Sequence, residues 1–192
     1  MRSGTIKTLA ALVACMTLGA ALLLAMETAP ARPAVPLPLQ STASLPQMEA
    51  VRQVDEQVGL QYVKWRHIVI HDTGRDGLAA ADGCHFLIGS PRRLGDGQVK
   101  ATPLWNRQAD GRHIDVPGAN FNTNSIGICL LLEGQEPTPQ QVLALANLVR
   151  ALQTVCQIPP DRVYLHSDLA QEGCPGPSFP AEAFHQSLLP SN

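Results

Sequence analysis

Beyond about residue 60, short β-branched runs alternate with stretches of helical period. Val63 to His71 (VKWRHIVIH) predicts a strand that ends in histidine, and His85 to Ile88 predicts a second. Ser125 to Leu132 (SIGICLLL) is apolar nearly throughout, the pattern of a central strand covered on both faces. Thr138, Pro139 and Gln141 then supply the N-cap, first helical position and capping-box partner of a helix. Along it Val142, Leu145, Val149, Leu152 and Cys156 share one stripe until Pro159 and Pro160 end it. Arg162 to His166 predicts one more strand, and Pro180 to Leu189 a terminal helix. Strands separated by helices predict an α/β layer fold in which His71 and His166 each stand at a strand end.

The front of the chain follows a different pattern. Thr8 to Met26 carries no charge and follows Arg2 and Lys7, the basic and apolar regions of an export signal. Its length also suits a bilayer-spanning helix, and Ala29-Pro30-Ala31 interrupts any cleavage site with proline, so a cleaved signal and an uncleaved anchor both remain open. Either way the basic flank is expected to place the rest of the chain outside the cytoplasm, in the periplasm or cell envelope, held at the inner membrane if the anchor is not cleaved. Residues 27 to 46 hold five prolines, a semi-rigid spacer, and Gln47 to Val58 places Met48, Val51, Val54 and Val58 near helical spacing. The organisation expected is a signal or anchor over 1–26, a Pro-rich linker with a short lead-in helix over 27–58, and one domain over 59–192.

Composition narrows the function. The 192 residues carry 14 basic and 16 acidic side chains, a net charge of −2 with no long run of either sign, so the basic footprint that nucleic-acid binding needs is missing. Aromatic residues make up 4%, too few for a stacking platform. Attention therefore falls on the six histidines and five cysteines. His71 and His166 end strands, and Cys174 follows His166 by eight positions in HSDLAQEGCPGP, where Gly173, Pro175 and Gly176 turn the chain sharply. Singly, each is more often a structural residue or a buried thiol. Together, two imidazoles and a thiolate are the three-ligand pattern of a catalytic zinc site, which leaves the fourth tetrahedral position open.

Four ordered segments, IVIHDTG, HFLIG, FNTNSIGICL and LHSDLAQEGCPGPSFP, resemble the zinc-dependent N-acetylmuramoyl-L-alanine amidases of the type 2 family, whose superfamily includes the peptidoglycan recognition proteins. The resemblance runs from about Arg66 to the C-terminus. It implies a mixed central sheet flanked by helices, a zinc-lined groove for peptidoglycan or muropeptides, and hydrolysis of the amide between N-acetylmuramic acid and L-alanine. Carried over by position, His71, His166 and Cys174 match the zinc ligands, and His113 and Asn122 match residues beside the groove. A monomer is expected.

Protonating the departing amine needs an acid near the metal, for which Glu172 and His113 are the candidates and Glu133 a weaker third. The chain also departs from the family. The position before HFLIG, commonly a tyrosine placed to stabilise the oxyanion, is Cys84, a weaker donor. Glu172 stands where lysine or threonine is commoner, and the segment between His71 and His85 is short where the family places a full helix. These departures keep a second reading open, a non-catalytic peptidoglycan-binding module of the same fold. Retention of all three ligand positions favours the enzyme. With Cys174 on the metal and Cys15 in the apolar segment, Cys84, Cys129 and Cys156 allow at most one disulfide, and none is expected.

Overall fold

The computed structural model describes residues 60, 64–74, 81–116, 119–170 and 173–190. The export segment, spacer and lead-in helix expected from the sequence lie outside the described residues. In chain order the elements are β1 (His67–Asp72), β2 (Phe86–Ile88), β3 (Val99–Ala101), α1 (Pro103–Asn106), α2 (Phe121–Asn124), β4 (Ser125–Leu130), α3 (Pro139–Cys156), β5 (Val163–Leu165), α4 (His166–Leu169) and α5 (Ala181–Gln186). They form a mixed α/β domain whose five-stranded sheet has the order β3-β2-β4-β1-β5. The inner pairings are parallel, and β3 runs antiparallel to β2.

Strand β4 is central and every residue in it is buried, as its unbroken apolar run requires. Alternation along the strands gives the sheet two different faces. Ile68 and Ile70 of β1, Phe86 and Ile88 of β2, and Ile126, Ile128 and Leu130 of β4 enter one core cluster with Leu145, Leu148, Val149 and Leu152 of α3. Helix α3 starts where the capping box predicts: Thr138 Oγ1 accepts from the Gln141 backbone at 3.1 Å, and Gln141 Oε1 accepts from the Thr138 backbone at 3.0 Å. Helix α3 ends at Gln157, which takes a left-handed conformation with φ 55°. Burying the apolar stripe of this 18-residue helix against the sheet holds that face together.

The alternate positions, Val69, His71, Gly127 and Cys129, belong to the opposite face. The elements depart from the sequence pattern in several places. β1 begins at His67, and Lys64 to Arg66, the described residues of the run before it, lie outside the strand although the Arg66 N–H still donates to the Asn124 carbonyl at 2.8 Å. The short edge strand β3 has no apolar pattern and was not expected. β5 stops at Leu165, because the Asp168 carboxylate accepts from the Leu165 N–H at 2.8 Å and turns the chain into α4, so that His166 opens a helical turn. Among the described residues no helix is long and apolar enough to cross a membrane.

Candidate metal centre

The register of β1 and β5 pairs Ile70 with Leu165. His71 and His166 each follow by one residue, so both leave the carboxyl ends of adjacent parallel strands, the end at which open α/β sheets build their sites. Their rings lie 4.7 Å apart between centroids. Cys174 reaches the same point from the turn after α4, with two backbone ties holding it there. The Ser167 N–H donates to the Cys174 carbonyl at 2.9 Å, and the Asp72 N–H donates to the Cys174 sulfur at 3.1 Å. One ligand atom from each of His71, His166 and Cys174 lies within 4.8 Å of the others. The three residues selected from spacing are thus brought together.

The donor set fits zinc. Burial above all, then the nearby charges of His113 and His166, pushes the His71 imidazole down to about 2, so the ring is neutral and offers a lone pair. An N–H directed at the Cys174 sulfur suits the anionic form that ligates metal.

His113 is buried against His71, with Nδ1 3.1 Å from His71 Nε2 and Nε2 3.3 Å from Ser125 Oγ. Burial, then His85, holds it down to about 3, opposed by a hydrogen bond to the Ser125 backbone. Asn122 is occupied with the loop that carries His113. Its Oδ1 accepts from the His113 and Ile114 N–H groups at 3.0 and 3.1 Å, and its Nδ2 donates to the Ile114 carbonyl at 2.6 Å. Cys84 is fully buried in a small cluster with Ala81, Cys129 and Leu131. Its hydrogen bond with Cys129, followed by burial, pushes the Cys129 thiol up. Glu133 forms an ion pair with Arg93, and Glu172 lies outside the described residues.

The sequence did not single out His85 or Ser125 as site residues. His85 Nδ1 accepts from the Gly127 N–H at 3.0 Å, and its Nε2 donates to the Ala109 carbonyl at 3.0 Å, which fixes its tautomer. Its ring lies 5.8 Å from that of His113. No spacing rule reveals these contacts, since each involves at least one residue outside the strands and helices.

Comparison with known proteins agrees with this geometry. The family model described as N-acetylmuramoyl-L-alanine amidase matches residues 61–177. Among solved structures, the Endolysine N-acetylmuramoyl-L-alanine amidase LysCS from Clostridium intestinale URNW is similar at 26% identity and a TM-score of 0.50, over 64% of this chain and 82% of that one. The N-acetylmuramoyl-L-alanine amidase LysC from the same organism gives 27% identity and a TM-score of 0.50, over 66% and 87%. AMPDH3 from Pseudomonas aeruginosa, solved in complex with anhydromuramic pentapeptide, shares the fold at 21% identity and a TM-score of 0.53, over 65% of this chain and 60% of that one. A search of the curated proteins finds no match. The match over most of the described domain, on a mixed sheet with a His-His-Cys cluster at its strand ends, shows that the chain belongs to the N-acetylmuramoyl-L-alanine amidase family.

Proposed function

We propose that the protein is a zinc-dependent amidase that hydrolyses the amide between N-acetylmuramic acid and L-alanine in peptidoglycan or muropeptides, outside the cytoplasm. The observation that carries the reading is the convergence of His71, His166 and Cys174 in a chain of this family. The chemistry zinc supplies when held by two imidazoles and a thiolate is polarisation of a carbonyl and activation of water near neutral pH, the two things an unreactive amide lacks. His71 and His166 would ligate as neutral rings and Cys174 as thiolate. The backbone of Asp72 orients the sulfur, and the bond from Ser167 to Cys174 holds the turn in place.

Glu172, two positions before Cys174, is proposed as the acid that protonates the departing amine; a carboxyl in that role is worth about 10²- to 10⁴-fold in rate. Residues 8–26 are proposed to direct the chain across the inner membrane, and 27–58 to separate that segment from the domain.

The test is metal analysis of the purified protein together with release of free stem peptide from a muropeptide. One zinc per chain, hydrolysis, and loss of both in His166→Ala are expected. Zinc binding without peptide release would show a binding module, and full zinc occupancy in His166→Ala would refute the ligand assignment.

A further inference from the structure

His113 sits in a seat made for it. A Cβ on Gly127 would stand 2.5 Å from its Cδ2 and 2.6 Å from its Cγ, and one on Gly111 would stand 2.8 Å from its Nε2 and 3.0 Å from His85 Cε1, so both glycines leave the space that this ring fills. Three hydrogen bonds then run in series. Ser125 Oγ lies 2.5 Å from the Phe121 carbonyl, which has no proton to give, so the hydroxyl donates. Its one proton is thereby used, and toward His113 Nε2 at 3.3 Å it can only accept. The proton of the neutral His113 ring is therefore on Nε2, and Nδ1 holds a lone pair. His71 Nε2, 3.1 Å from that lone pair, must donate to it. Only Nδ1 of His71 is left with a lone pair for a metal.

We infer that His113 and Ser125 are positioning residues that set the tautomer of His71, with the Phe121 carbonyl fixing the direction of the whole chain of hydrogen bonds. This rests on the zinc reading and adds to it which nitrogen ligates and what holds that nitrogen free of its proton. An acceptor bonded to the far nitrogen of a ligand imidazole also fixes ring orientation and raises ligand basicity, and removing one typically costs about 10- to 100-fold in metal affinity. The single acceptor here is another imidazole, so a change at His113 reaches the metal through His71.

The experiment is long-range proton–nitrogen correlation NMR on the full chain, labelled with ¹⁵N at histidine and freed of metal by a chelator at pH 7. Both His71 and His113 are expected as Nε2–H tautomers; a proton on Nδ1 of His71 would overturn the inference. This measurement needs no variant. Zinc affinity by chelator competition adds a second readout. His113→Gln retains an acceptor oxygen toward His71 and a donor amide toward Ser125, and should bind zinc close to the parent level. His113→Leu removes the acceptor, and should bind about 10- to 100-fold more weakly with His71 in a mixture of tautomers. Parent-level zinc affinity in His113→Leu would overturn the inference. A parent that shows both Nε2–H tautomers yet binds no zinc would uphold the hydrogen-bond series while refuting the metal reading, so the two fail separately.

Discussion

The backbone N–H of Asp72 donates to the Cys174 sulfur at 3.1 Å, tying the end of β1 to a turn 102 residues further along the chain. The sulfur therefore has a structural role even before metal is considered. Cys174→Ala should leave the part-buried N–H without its acceptor and cost about 1–2 kcal/mol in metal-free urea unfolding. Cys174→Ser keeps an acceptor and should unfold near the parent midpoint. In both variants zinc affinity should fall by more than about tenfold, because the soft thiolate is gone. Equal metal-free stability of the alanine variant and the parent would show that the N–H is served by solvent.

Gly127 lies in the middle of β4, where a β-branched residue would otherwise be favoured. Its hydrogen faces the His113 ring at a distance that no methyl group fits. Gly127→Ala must push that ring or the strand aside, and overpacking of this kind costs about 1–3 kcal/mol. Zinc affinity should fall along with stability, because the displaced ring no longer meets His71. A variant with parent stability and parent zinc affinity would mean that the seat is not tight.

What the sequence revealed and what it hid follow from the range of the interactions. Helix α3 was legible because its cap, stripe and stop are all written within a few residues of one another. β4 was legible from its composition, and His71, His166 and Cys174 from strand ends and a Gly-Pro turn. The contact between His113 and His71 was not, since it spans 42 positions and starts from a loop with no periodicity. The same holds for Asn122, whose amide pins the loop backbone around His113. Strand β3 was hidden because a three-residue edge strand with an exposed central lysine leaves no alternating pattern to read.

Acid should destabilise the protein in part through His85. Burial foremost holds this imidazole down to about 4, against an ordinary value of 6.5, and its Nδ1 must stay unprotonated to accept from Gly127. With the folded pKa depressed, the unfolded chain takes up the proton first as pH falls below about 6.5, so stability drops from there and levels off near the folded value. The ceiling for this one group is roughly 3 kcal/mol. In metal-free protein, His85→Asn replaces Nδ1 with an oxygen acceptor that does not titrate. Its loss of stability between pH 6.5 and pH 4 should be smaller than the parent's by up to that amount. Identical pH profiles for variant and parent would remove His85 from the acid response.

Cys84 stands where the family commonly has tyrosine, and from sequence alone restoring the phenol would be expected to raise the rate. The structure argues for the opposite outcome. The Cys84 side chain is fully buried, hydrogen-bonded to Cys129 and packed with Ala81 and Leu131, and its carbonyl accepts from the Thr102 hydroxyl at 2.8 Å. A phenol there has to find room for a ring within a sealed cluster and a partner for its hydroxyl. Cys84→Tyr should therefore lose about 1–3 kcal/mol of stability without a gain in muropeptide hydrolysis. Cys84→Ala, which only shortens the side chain, should cost less, and its hydrolysis rate should stay within a few-fold of the parent if the thiol does not touch substrate. A faster Cys84→Tyr enzyme with an unchanged urea midpoint would show instead that this position opens to the groove when substrate binds.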